Sequence, residues 1–395
     1  MDRRSFLGMG LSGAAGVVVG GSAMLGVDRL QRITGEGAVG SATVPFHGIH
    51  QSGIETPRAA FATIVSFTLR PDVGRVRLER LLRLWSTDAA LLQAGSPSLG
   101  DANPDMARTP ASLTITIGLG HGAFTAAGLA DRWPFGATAI PPFAIDRLEP
   151  GWTDGDLVLQ VSANDGGTVT HAVRELVRDA QPFAEVRWQQ SGWQAPPGVN
   201  PGEHPRNLLG FREGVGNPVP GTAGFASTVW NDGNGAPWFA GGTSMVVRRI
   251  RIDLDLWDQV PPGMQESTIG RYRSNGAPLG GTSEYELPNY ALRRSDGSPL
   301  IPLDAHMRVA EAPRNIFRRP FNYDDGRTAS GAVDAGLLFI AFGAEVEQYL
   351  TIQRNLAARD AMNRWVTPVG SALFALPPGS TGEGDWVGRS LFARR

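Results

Sequence analysis

Six histidines are the first candidates for chemistry in this 395-residue chain. His47 and His50 lie in PFHGIHQSGIETP and His121 in GLGHGAF. His171 stands at the start of a helical pattern, His204 in GEHPRN and His306 in DAHMRVAEAPRN. No two have the His-x-x-x-His spacing that puts a pair of imidazoles on one helical face for zinc. Gly48 between His47 and His50 argues against the helix such a pair would need. A histidine without such a partner is ordinarily a packed or surface residue, so spacing alone promotes none of them.

Two absences narrow the chemistry further. There is no Cys, and all 36 basic residues are Arg. The first excludes disulfides, thiolate zinc sites, iron–sulfur clusters, Cys nucleophiles and Cys-ligated haem. The second excludes Schiff-base chemistry on Lys and a phosphate-loop Lys; biased codon usage is its simplest cause. What remains is His, carboxylate, Arg, Ser/Thr and aromatic chemistry. A net charge of −2 argues against nucleic acid held by charge alone, and 42% hydrophobic residues suffice for a packed core.

The elements that must position these groups come in two similar sets. Residues 60–69, 113–119, 156–163 and 184–189 read as strands from their β-branched and aromatic content. Residues 76–93 carry Leu78, Leu81, Leu82, Trp85, Ala89 and Leu92 at helical spacing, and 169–179 form a second helical pattern. The rhythm repeats with strands at 244–252 and 337–342, a helix-rich stretch to about residue 273 and a helix over 345–357. Two copies of strand–helix–strand, strand–helix–strand predict an α+β protein built from a pair of ferredoxin-like domains packed sheet to sheet. The Gly- and Pro-rich run near 190–205 marks the boundary, and 274–304 reads as a surface loop. The expected organisation is residues 1–42 as leader and linker, 43–195 as one domain and 196–395 as the other.

The leader reads MDRRSFLG followed by an uncharged Gly- and Ala-rich run to Val27. This looks like a twin-arginine export signal. A membrane anchor is the competing reading, since residues 5–27 are long enough to span a bilayer, but their Gly and Ser content makes a poor spanning helix. The expectation is export through the twin-arginine translocase to the periplasm or cell exterior, with membrane association if the signal is retained. That route carries folded proteins, often with a cofactor already inserted.

The surroundings of His306 bring a family into view. RNLLGFREGVGNP at 206–218, AHMRVAEAPR at 305–314 and FRRPFNY at 317–323 stand in order, with PFHGIHQSGIETP before them and GLLFIAF and VTPVGSALFAL after. Together they resemble the dye-decolourising peroxidases, most closely the exported deferrochelatase-like branch. The resemblance implies duplicated ferredoxin-like domains in a dimeric α+β barrel-type fold, with haem b in the C-terminal half. It implies hydrogen peroxide as oxidant, an organic electron donor oxidised by one-electron steps, and a homodimer. Two alternatives share the same pocket: release of iron from haem, as in deferrochelatases, and haem binding with weak catalysis.

Matched position by position, the resemblance makes His306 the proximal iron ligand. Glu345, just after the GLLF strand, matches the carboxylate that receives the other ring N–H of that histidine; capping of the following helix is its alternative role. Arg318 matches the distal arginine, with a propionate clamp or a plain ion pair as alternatives and Arg319 as the substitute if the register slips by one. Glu213 stands where the family's Gly-x-x-Asp-Gly motif has Asp. Either the longer carboxylate keeps the acid–base role or it points elsewhere, and a displacement of that size can cost about 10²-fold in rate. Gly214, Val215 and Gly216 match one haem-contacting stretch; Ala312, Pro313 and Arg314 match another, with Ala312 in place of the family's Asn. Trp238, Trp257, Trp365 and Tyr323 could pass electrons to the surface, although core packing is the commoner use of such residues.

Overall fold

The computed structural model describes residues 39–199 and 202–393. The twin-arginine leader lies almost wholly outside the described residues. Among the described residues, nine antiparallel strands form the framework: β1 (Phe61–Leu69), β2 (Thr114–Leu119), β3 (Leu157–Ala163), β4 (Ala184–Trp193), β5 (Thr243–Ile252), β6 (Phe317–Arg318), β7 (Phe321–Arg327), β8 (Val333–Gly343) and β9 (Val366–Leu376). The helices that matter here are α1 (Arg75–Gln93), α2 (Gly166–Ala180), α3 (Pro262–Ile269), α4 (His306–Val309) and α5 (Val346–Arg359).

The first four strands pair in the order β4-β1-β3-β2 and the later ones in the order β9-β5-β8-β7. With β6 set aside, each is the fourth-first-third-second order of a ferredoxin-like unit, so the duplication read from the sequence is real. The two sheets join edge to edge through single pairings, Leu119 with Ala375 and Trp193 with Asn322. The ring of strands is thereby closed, a barrel made of two sheets.

Strand alternation sorts the side chains. Ala62 and Ile64 of β1, Val247 of β5, Ile340 of β8 and Phe374 of β9 point inward and fill the barrel. Val65 and Phe67 of β1 and Leu159 and Val161 of β3 point outward, where α1 and α2 cover them. Leu81, Leu82 and Trp85 of α1 are fully buried against that face, and Trp85 Nε1 donates to Leu176 O of α2 at 2.9 Å. With both faces covered, β3 is buried at every position, and its run LVLQVSA is apolar except for the buried Gln160 and Ser162.

Strands β6 and β7 were not expected. Their sequence, FR and FNYDDGR around Arg319-Pro320, alternates poorly and carries charge, and β6 has only two residues. The helix-rich stretch before residue 273 resolves into Leu254–Trp257 and α3, both short. Pro261, Pro262 and the left-handed Gly270 break it up.

Candidate haem site

Above the outer face of the second sheet, the chain leaves a cavity of about 1330 Å³. Its floor is Arg248 and Ile250 of β5, Leu337 and Phe339 of β8, and Val366 and Pro368 of β9. Its roof is one face of α5, where Tyr349, Ile352, Gln353 and Leu356 follow the spacing of a single helical stripe. Such a volume exceeds a usual small-molecule pocket, and the walls are largely apolar.

His306 opens α4 and enters this cavity from the loop before it. Its Nδ1 lies 2.6 Å from Asp360 Oδ2, a distance that makes the ring nitrogen the donor to a carboxylate. Asp360 is itself held: Oδ1 accepts from Met362 N at 2.9 Å, and the neighbouring Ala361 N donates to Asp304 O at 2.9 Å. The side chain of Asp360 is 4% exposed and that of His306 31%, so the carboxylate is sealed while the ring is open to the cavity. The bonded Nδ1–H leaves Nε2 with its lone pair available for a metal.

This corrects the expectation for Glu345. Glu345 caps the N-terminus of α5 in a reciprocal capping box with Gln348, and its Oε1 accepts from Asn231 Nδ2 at 3.0 Å. It does not line the cavity. Asp360 caps the opposite end of the 14-residue helix, about 21 Å away, so the two carboxylates cannot serve the same imidazole. Burial raises the Glu345 pKa, opposed by Arg314 and by the Asn231 hydrogen bond.

Across the cavity lie Glu213 and Arg318. Glu213 Oε1 accepts from Asn207 Nδ2 at 2.6 Å, and Asn207 Oδ1 in turn caps the backbone N–H groups of Leu209 and Phe211. The second carboxylate oxygen has no protein partner among the described residues. Arg318 is braced by Asn217 Oδ1, which accepts from its backbone N at 3.2 Å and its Nε at 3.3 Å, while Nη2 donates to Val215 O at 2.7 Å. Burial lowers the Arg318 pKa and Glu213 opposes that effect. Arg319 also borders the cavity, but its guanidinium is taken up by the carbonyls of Ile54, Thr56 and Pro57, to which it donates. Of the two, Arg318 keeps guanidinium N–H groups without a protein acceptor among the described residues.

The remaining expected residues gather here too. Gly214, Val215, Gly216, Ala312, Pro313 and Arg314 all line the cavity. Gly214 has φ +87°, a left-handed backbone that strains any other residue, and it leaves room for the Arg58 guanidinium packed against it. Arg314 is exposed at the rim with no hydrogen-bond partner among the described residues. Sequence reasoning missed Asp360, Arg58 and Arg271, and gave Asn207 and Asn217 no role. Arg271 lines the cavity with its pKa lowered by burial and by Arg318. Asn207 and Asn217 stood in the quoted RNLLGFREGVGNP run, a readable signal; the other three lie in segments with no local pattern. Of the aromatics, Tyr323 is fully buried inside the barrel, and Trp257 and Trp365 pack edge to face at 5.1 Å.

The donor set fits haem b. One imidazole is oriented by a sealed carboxylate, its other nitrogen faces a large apolar slot, and guanidinium groups stand at the slot's polar margins where propionates need partners. Fold and site together make this a haem oxidoreductase.

Comparison with known proteins supplies the family. A model described as Dyp-type peroxidase, N-terminal, matches residues 51–194, and one described as Dyp-type peroxidase, C-terminal, matches residues 204–381. A dye-decolorizing peroxidase of Thermobifida fusca is 37% identical over 359 residues, covering 86% of this chain and 83% of the relative. A deferrochelatase of Yersinia pseudotuberculosis is 33% identical over 412 residues, covering 98% and 94%. The crystal structure of a DyP-type peroxidase from Cellulomonas bogoriensis has a TM-score of 0.86 at 44% identity, covering 89% of this chain and 99% of that one. The chain belongs to the Dyp-type peroxidase family and is a haem-dependent peroxidase.

Proposed function

We propose that this protein reduces hydrogen peroxide and oxidises an organic donor in one-electron steps, with His306 as iron ligand and Glu213 and Arg318 as the distal pair. The observation that carries this is the opposition of the His306–Asp360 couple to Glu213 and Arg318 across one cavity. Bound haem supplies an iron that takes oxidising equivalents from peroxide and returns them singly to the donor.

The chain's own groups handle protons and charge. Asp360 accepts a hydrogen bond from His306 Nδ1–H, fixing the ring's tautomer and making Nε2 a stronger electron-pair donor. Glu213 takes a proton from one peroxide oxygen and returns it to the oxygen that leaves as water. Asn207 fixes one carboxylate oxygen and leaves the other to do this. Arg318, held by Asn217 and Val215, stabilises negative charge on peroxide with its remaining N–H groups. Arg314 at the rim, with Ala312 and Pro313 beside it, suits a propionate, and Gly214, Val215 and Gly216 form the backbone wall against the cofactor.

The twin-arginine motif at Arg3 and Arg4 supports export to the periplasm or beyond. Among the described residues no helix is long and apolar enough to cross a membrane. A homodimer is the expected assembly, read by light scattering. Peroxide reduction is tested with haem-reconstituted protein, comparing Glu213→Gln and Glu213→Asp with wild type. Glu213→Gln lowers kcat/KM for peroxide by about 10²–10⁴-fold, while Asp retains a working carboxylate. Equal rates in wild type and Glu213→Gln would remove Glu213 from the mechanism. Free porphyrin as product, in place of oxidised donor, would favour iron release.

A further inference from the structure

The packed half holds a group of ionisable side chains that peroxide chemistry does not use. Successive turns of α2 present His171, Glu175 and Asp179 along one face. The segment after α1 brings Asp101 to that face, where its Oδ2 lies 3.0 Å from His171 Nε2. One ligand atom from each of Asp101, His171 and Glu175 lies within 4.8 Å of the other two. These side chains are 1%, 3% and 5% exposed, so water screens none of them well. The donor set is mixed: one imidazole nitrogen and two carboxylates.

The surrounding contacts leave negative charge over. Asp101 Oδ1 accepts from Asn103 N at 2.8 Å, and Glu175 Oε2 accepts from Ser98 Oγ at 3.1 Å and from Arg178. Asp88 of α1, 2% exposed, accepts from no N–H or O–H donor among the described residues outside the Asp179 carboxyl group, its one hydrogen-bond partner. Asp179 Oδ2 is buried without a donor as well. Asp179 stands one helical turn beyond Glu175, whose charge bears on both Asp88 and Asp179. Four carboxyl groups thus face one guanidinium and one imidazole. Buried like charges without donors are costly, and a cation among them relieves that cost.

We propose that Asp101, His171 and Glu175 form a site for a divalent cation, with zinc as the ion that this donor set suits. Three protein ligands leave the fourth tetrahedral corner to water. With bonds of about 2.0–2.1 Å, tetrahedral ligand atoms stand about 3.3 Å apart, so His171 Nε2 and Asp101 Oδ2 are close to their places already. The ion replaces the proton shared by these two atoms, which leaves to solvent, and no electron moves. It also replaces Arg178 on Glu175; the Arg178 side chain is 40% exposed and turns to water. The bound ion fastens the segment after α1 to α2. The site lies on the outer layer of the first sheet, apart from the haem cavity of the second, so it does not rest on the peroxidase reading.

Calorimetric titration of the chelator-treated, haem-loaded chain with zinc chloride tests this. Wild type binds one zinc ion per chain at this site and releases a proton, seen as a heat that varies with the ionisation enthalpy of the buffer. His171→Gln weakens that binding by at least about 100-fold, more than the loss of a group that only supports a ligand. Glu175→Gln does the same while keeping an acceptor for Ser98, and it decides the matter if His171→Gln fails to fold. Zinc-edge X-ray absorption on wild type shows nitrogen and oxygen ligands at about 2.0–2.1 Å in fourfold coordination. Zinc raises the melting temperature of wild type and not of either variant. Equal zinc affinity in wild type and a folded variant, or no zinc binding by wild type, would overturn the inference. Either result would leave the haem site as described, since none of these residues borders it.

Discussion

The two halves of the molecule share one strand order and use their outer faces differently. In the first half, the 19-residue α1 and the 15-residue α2 lie directly on the sheet, and Leu81, Trp85 and Leu176 have no exposure. In the second half, the corresponding first connection is broken into Leu254–Trp257, α3 and a long irregular excursion before α4. Among the described residues, α5 is the only long helix over that sheet, and part of its apolar face stands off across the cavity. One topology gives a core where an amphipathic helix seats on the sheet, and a pocket where Pro and Gly prevent that helix from forming. The cofactor site is therefore a consequence of an interrupted connection, not of a different fold.

Matched Leu→Ala substitutions give the largest test of this contrast. Leu81→Ala in the packed half lowers apoprotein stability by about 2–5 kcal/mol. Leu356→Ala on the cavity roof costs about 1 kcal/mol or less, because its side chain already borders open space. Chemical denaturation of both variants measures the difference; equal losses would mean that the two faces are packed alike.

A second pair separates the carboxylates at the ends of α5. Asp360→Ala weakens haem retention about 10–100-fold, measured by haem transfer to an acceptor protein. Glu345→Ala leaves haem retention unchanged and lowers thermal stability by about 1 kcal/mol through loss of the cap. Loss of haem from Glu345→Ala alone would make Glu345, not Asp360, the carboxylate that supports His306.

The smallest effect belongs to the packed half. Asp88 and Asp179 face each other between α1 and α2, and burial together with their mutual repulsion pushes Asp179 up to about 7. The folded value lies above the ordinary carboxyl value, so the folded state binds the proton more tightly. The associated stability is fully present below the ordinary value and is lost as pH rises through about 7. Apoprotein melting temperature should fall from pH 5 to pH 8, and Asp179→Asn should remove part of that fall, about 1 kcal/mol given the residue's partial exposure. A pH dependence unchanged in Asp179→Asn would assign it elsewhere.

Much of this was legible in the sequence where a local pattern carries the information. Leu78, Leu81, Leu82 and Trp85 mark α1 by spacing, and the apolar strand runs mark a duplicated α+β chain. The motif runs around Glu213, His306 and Arg318 bring those residues to one cavity, as expected from the resemblance. What could not be read are long-range pairings. Asp360 meets His306 across 54 residues because it caps the end of α5, and a helix-terminal Asp has no sequence mark of that partnership. Arg58 meets Glu213 across 155 residues, through a segment whose path is set by Arg319. Strands β6 and β7 escaped because their charged, Pro-interrupted sequence is tolerated only by pairing with the apolar β8.

His306, oriented by Asp360, is the proposed iron ligand in the second half's cavity. Haem titration into wild type and His306→Ala apoprotein, followed in the Soret region, tests it most directly. Wild type saturates at one haem per chain, whereas in His306→Ala the spectrum is lost or shifted and the affinity is much weaker. Haem bound by His306→Ala with unchanged spectrum and affinity would contradict it.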